Sequence, residues 1–216
     1  MRTIIAIALV LGGWSHLQAQ SGEEATPPPT SGVVDVASAT AEGDADSEAS
    51  LDRRSGPTAL ALARALDARL TVWRSGGRRV YVRHCRRARV SCRARLVALA
   101  RIIARAGVRH GVDPFLLAAI ALRESGLNPF AEGAAGERGI VQLHPRGVGS
   151  RVRFVRSEGY RERCSRAADA CQEEVVEAGA RLMAASIARC SSTREALGAY
   201  NSGVCQATSY GENVLE

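Results

Sequence analysis

The chain has 216 residues, 46% of them hydrophobic and 4% aromatic, with a formal net charge of +7 at pH 7. That length buries one sizeable core and leaves no room for two large domains. All 29 basic residues are arginine, and so few aromatic rings leave little to stack on bases, which argues against a nucleic-acid partner.

Residues 1–19 read as a secretory signal peptide. Arg2 gives the positive start, Ile4 to Leu11 (IIAIALVL) the apolar stretch, and Leu17-Gln18-Ala19 a cleavage site. The apolar run is too short to span a bilayer, and no later segment is apolar enough to do so. The protein is therefore expected to be exported, periplasmic or secreted, with no membrane span once the signal is removed.

Residues 20–56 are expected to be a disordered linker. They are rich in Ser, Thr, Pro, Ala and Gly, and between 21 and 52 they hold eight acids and no basic residue. Such a composition buries too little apolar surface to offset the entropy of folding. From Arg53 onward the balance reverses, with 28 arginines against 14 acids. Twelve of those arginines and no acid fall between Arg74 and Arg109, a surface suited to polyanions.

Residues 57–94 read as an arginine-rich helical extension. TALALARALDARLTVW (58–73) has apolar residues at helical spacing, with Gly76-Gly77 as a stop. RRVYVRHC (78–85) fits either a short strand or more helix. RLVALARIIARAG (95–107) sets Leu96, Leu99, Ile102 and Ile103 on one face, with Gly107 as its end. Asp113-Pro114 then supplies a cap and a first-turn proline for a helix through FLLAAIALRES that stops at Gly126. Gly133, Gly136, Gly139, Gly147 and Gly149 predict loops around a short helix at GIVQL. EEVVEAGARLMAASIARC (173–190) is a long helix, and Ser192 with Glu195 forms a capping box for STREALGAY.

Six cysteines, at 85, 92, 164, 171, 190 and 205, follow the signal. An even number in an exported chain predicts three disulfides. The pairing is open from sequence; the simplest arrangement is local, 85 with 92, 164 with 171 and 190 with 205. The spacings are not those of a zinc site, and His84, His110 and His144 form no ligand pair. No metal and no cofactor is expected.

Glu124 stands apart from the apolar run that it ends. Leu117, Ile120 and Glu124 fall at i, i+3 and i+7 on one helical stripe, so the carboxylate shares a face with core residues. It also lies in the last turn, where the helix carbonyls carry partial negative charge. Both circumstances disfavour the ionised form and predict a raised pKa, as a proton donor to a leaving-group oxygen requires.

Four blocks, in order, give this glutamate a context. They are Glu124-Ser125 at a helix end, GIVQLHP with Gln142, AYNSG at 199–203, and TSYGENVL with Tyr210. Over residues 95–216 the chain resembles the catalytic domain of the soluble lytic transglycosylases, lysozyme-like enzymes that cut bacterial peptidoglycan. The resemblance implies a mainly α, lysozyme-like single globular domain with a substrate cleft, acting on peptidoglycan glycan strands, with the arginine-rich surface drawn to anionic wall polymers; the protein is expected to be a monomer. It implies that Glu124 protonates the oxygen between MurNAc and GlcNAc, then takes the proton of the MurNAc 6-hydroxyl as that group closes onto C1. It further implies that Ser125 hydrogen-bonds near the catalytic carboxyl and that Gln142 binds sugar. Tyr200 and Asn201 would orient the acid or the substrate, and Tyr210 would line the groove.

Two positions depart from the family pattern: Gly133 stands where a serine is common, and Val175 where an asparagine is typical. They leave open a catalytically impaired wall-binding module. A goose-type muramidase is the other alternative; it needs a second acid, for which Glu132 and Glu137 are the nearby candidates.

Overall fold

The computed structural model describes residues 39–71, 74–75, 78–79, 91–166 and 168–216. The expected signal peptide, the first part of the expected linker, the Gly76-Gly77 stop and Cys85 lie outside them.

Helix α1 spans Ala39–Thr71 and contains Pro57. Residues 39–56, read above as disordered linker, are therefore helical. Alanine, the commonest residue there, favours a helix intrinsically even where too few apolar side chains exist to demand one. Further along α1, Ala59, Leu62, Ala63 and Leu66 follow the i, i+3, i+4, i+7 pattern and are all buried. They pack on α2, so the extension is part of the core rather than an appendage. The one described strand pair, β1 (Arg74–Ser75) with β2 (Arg78–Arg79), is antiparallel.

Helix α2, Cys92–His110, runs through the centre of the fold against α1, α3 and α7. Leu99, Ala100, Ile103 and Ala104 are fully buried, the two larger side chains contributing about 1.5–3 kcal/mol each by the usual scale for burial. The helix does not stop at Gly107 as the sequence suggested. It continues one turn to Gly111, whose φ of +66° makes the left-handed cap. Gly107 has a different use: a Cβ there would lie 2.7 Å from the Val112 carbonyl and 2.8 Å from the Pro114 ring. The missing side chain lets α3 begin tight against the end of α2.

Helix α3, Pro114–Ser125, starts and stops where its caps predict. The Asp113 carboxylate accepts the Phe115 N–H at 2.8 Å, and Gly126 at φ +61° ends the helix. Short helices α4 (Arg153–Arg156), α5 (Glu158–Arg163) and α6 (Ala168–Cys171) follow. A 3-10 turn, Val148–Arg151, precedes them. Helix α7, Glu173–Arg189, packs on α2 and α8. Its Glu174 accepts the Phe154 N–H at 2.8 Å, holding the start of α4. Its Glu177 meets Arg109 at 2.9 Å and His110 at 2.5 Å, clipping the end of α2.

Helices α8 (Thr193–Ser202) and α9 (Ser209–Leu215) complete the chain, α9 packing on both α8 and α3. Ser192 caps α8 as expected, accepting from Glu195 N at 3.2 Å; the Glu195 carboxylate returns to Ser191 N rather than to Ser192. Disulfides join Cys164 to Cys171 and Cys190 to Cys205. Cys92 is disulfide-bonded too, and its expected partner, Cys85, is outside the described residues. The fold is mostly helical, and among the described residues no helix is long and apolar enough to cross a membrane.

Candidate active site

The end of α3 sets the direction of two adjacent side chains. Successive helical residues are roughly 100° apart, so Glu124 and Ser125 cannot face the same way. Glu124 is half-buried and turns to an open cleft of about 640 Å³. Ser125 turns inward, 4% exposed. Its hydroxyl lies 2.8 Å from the Ile140 carbonyl and 3.1 Å from that of Ala121. Ser125, expected to hydrogen-bond near the Glu124 carboxyl, directs its one proton to main-chain acceptors beside that residue. Beyond it, Gly126 and Leu127 both have φ near +60°. Leu127 carries a strain of order 1–3 kcal/mol in that conformation, offset by complete burial of its side chain.

The segment Gly139–Leu143 is a pair of turns, not the short helix that its sequence suggested. Gly139 at φ +80° and Gln142 at φ +47° are incompatible with a right-handed helix. Of three successive carbonyls here, the first accepts from within the turn and the next two from remote donors. Gly139 O accepts from Gln142 Nε2 at 2.8 Å, Ile140 O from Ser125, and Val141 O from the Tyr200 hydroxyl at 3.0 Å. The Ile140 N–H donates to Gln172 Oε1 at 2.9 Å. Gln172 is fully buried at the start of α7. It was missed in the sequence, where a glutamine ahead of an acidic helix start gives no sign that it reaches back 32 positions.

Gln142, Tyr200 and Asn201 line the cleft together with Glu124, as the sequence grouped them. Tyr210 is not part of that lining. From α9 its hydroxyl donates to Glu124 Oε1 at 2.6 Å. Glu137 does line the cleft, and its Oε2 accepts the Ala135 N–H at 3.0 Å. Glu132 does not; it pairs with Arg138 at 2.5 Å over a separate depression. Of the two acids weighed as a second carboxylate, only Glu137 shares the cleft with Glu124.

Gly133 is explained by the same carboxylate. A Cβ at 133 would collide with Glu137 Oε2, so the space a serine would use is taken by Glu137. Val175, the other departure, is fully buried with a methyl against Gly139. It packs beneath the turns that Gln172 holds by hydrogen bond.

Burial raises the pKa of Glu124, and the charge of Glu137 adds to the effect. The Tyr210 hydrogen bond and the positive charge of Arg123 oppose it, without reversing it. Tyr200 and Tyr210 are held firmly protonated, chiefly by burial. The site therefore offers one carboxyl disposed to keep its proton, one phenol directed at it, and amide and hydroxyl groups along an open groove.

A family model, the Transglycosylase SLT domain, matches residues 101–214, more than half of the chain. The chain belongs to this family. No curated protein and no solved structure shows a significant match. The SLT domain match takes in α3, the Gly139–Leu143 turns, α8 and the part of α9 that bears Tyr210. SLT domains are generally peptidoglycan lytic transglycosylases, which makes peptidoglycan the implied substrate.

Proposed function

We propose that the chain cleaves peptidoglycan glycan strands between MurNAc and GlcNAc, leaving 1,6-anhydroMurNAc ends, with Glu124 as both acid and base. The observation that carries this reading is a half-buried carboxyl with a raised pKa at the cleft surface, held on one oxygen by Tyr210. Protonated Glu124 donates to the glycosidic oxygen as the bond from that oxygen to C1 breaks. The carboxylate so formed takes the proton of the MurNAc 6-hydroxyl, whose oxygen bonds C1. The acid is regenerated, and no water is consumed. Gln142 and Asn201 serve the sugar, while Tyr200 and Ser125 act one step back by fixing the carbonyls of the turns.

The disulfides Cys164–Cys171 and Cys190–Cys205 support an exported, oxidised setting, in keeping with a signal peptide at 1–19 and with a substrate outside the inner membrane.

Mass spectrometry of products from purified peptidoglycan, with wild type beside Glu124→Gln, tests the reading. Anhydro ends from wild type alone uphold it. Glu137 in the cleft favours a second reading, hydrolysis to reducing ends, with that carboxylate activating water. Product from both proteins, or from neither, removes Glu124 as the acid.

A further inference from the structure

The cleft does not end at Val148. A second groove of about 500 Å³ shares Gly147, Val148 and Leu182 with it and continues between the Val148–Arg151 turn and α7. The two parts differ in charge. The first holds Glu124 and Glu137 together with Arg146; the second holds Arg151 and Arg181 and no acid. Among the described residues, the side chains of Arg146, Arg151 and Arg181 make no hydrogen bond or ion pair, and all three are exposed. Some arginines of the domain are matched, as Arg109 is by Glu177, Arg138 by Glu132 and Arg194 by Glu212, while others, Arg101 and Arg156 among them, are as exposed as those of the groove. What sets Arg151 and Arg181 apart is that both line one groove continuous with the cleft.

Unmatched guanidinium groups along a groove suit a planar anion, because the fork of N–H donors fits a carboxylate in bidentate fashion. A glycan strand laid across Glu124 would carry stem peptides, which end in carboxylates, away from the cleft. Glu137 repels such groups, and the arginine end attracts them. On the α7 side the groove is lined by the short side chain of Ala185 beside Arg181 and Leu182.

We propose that the groove past Val148 is a subsite for the carboxylates of stem peptides, with Arg151 and Arg181 as ligands. The subsite deepens the peptidoglycan reading above and rests on it. It makes the protein select peptide-bearing strands over denuded ones.

The test compares purified peptide-bearing glycan strands with the same strands after enzymatic removal of the peptides. Wild type and the double variant R151E/R181E are assayed on each. The variant is expected to raise KM for peptide-bearing strands roughly tenfold, on the scale of two exposed ion pairs reversed in sign. Its kcat, and its KM for denuded strands, stay at wild-type values. The milder R151A/R181A shows a smaller rise in the same direction. An equal change on both substrates, or none on either, overturns the subsite. A wild type inactive on both substrates refutes the proposed reaction instead. Co-sedimentation with peptide-bearing and denuded walls then decides the subsite without catalysis. Loss of retention by R151E/R181E on peptide-bearing walls alone upholds it, and equal retention overturns it.

Discussion

Tyr210 donates its phenolic hydrogen to Glu124 Oε1 across 2.6 Å, although 86 positions separate them in the chain. The bond joins the end of α3 to the start of α9, and it favours the charged form of the acid while burial favours the neutral one. Glu124 thus stays above the ordinary carboxyl range without being locked in the protonated state, as a group that must give and retake a proton requires.

Replacing Tyr210 with phenylalanine removes the hydrogen bond and leaves the burial. The proton affinity of Glu124 then rises further, so the alkaline limb of the kcat/KM profile moves to higher pH. The rate falls by about 10- to 100-fold, the worth of a hydrogen bond to a charged group. A limb that moved to lower pH would contradict the role given to Tyr210.

Glu124→Gln abolishes cleavage, a loss on the order of 100-fold or more, yet should stabilise the fold at neutral and higher pH. The sign follows from linkage. A carboxyl whose folded pKa is raised binds its proton more tightly in the folded state. The stability that the proton contributes is fully present below the unfolded pKa and is lost as pH rises through the folded pKa. Glutamine has no such loss. Melting curves should show the Tm of the variant exceeding that of wild type more at pH 8 than at pH 4.

Glu137→Gln and Gly133→Ser both act on the second carboxylate of the cleft. The first removes its charge; the second displaces it, because a Cβ at 133 meets Glu137 Oε2. Since that charge raises the pKa of Glu124, either change moves the alkaline limb to lower pH, opposite to Tyr210→Phe. If hydrolysis uses Glu137, the fraction of reducing ends falls in both variants, which product analysis reads directly.

Gln172→Leu leaves the Ile140 N–H without its partner inside the fold. A buried amide so orphaned costs about 1–3 kcal/mol, measurable as a lower urea midpoint with an unchanged slope. Because the turns that carry Gln142 loosen at the same time, KM should rise more than kcat falls.

What could be read from the sequence divides along the reach of the interactions. The limits of α3 were legible because Asp113 and Gly126 act within a turn of themselves. The cap at Ser192 was legible for the same reason, whereas the disulfide pairing stayed open in sequence and only its simplest, local arrangement matches 164–171 and 190–205. The direction of Glu124 followed from helical spacing alone. The conformation of Gly139–Leu143 was not legible, because the donors to its Ile140 and Val141 carbonyls come from positions 125 and 200 and the partner of its Ile140 amide from 172. Ser125 was placed beside the carboxyl by its neighbour in the motif, although adjacent helical residues diverge. The helix over 39–56 was missed because composition counts apolar surface, and exposed helix needs little of it. Gly133 looked like a loss until the side chain of Glu137 was seen to fill the space.

The carbonyls of Gly139, Ile140 and Val141 are main-chain atoms, and no point mutation deletes them. Ile140 and Val141 can exchange among residues of similar bulk while the acceptors they present stay where they are. The wall beside the catalytic acid is in this sense written in dihedral angles rather than in side chains. Variation should therefore be tolerated at the acceptor positions and concentrated in its harm at the donors, Ser125, Gln142 and Tyr200, and at Gly139, whose backbone angle few other residues adopt.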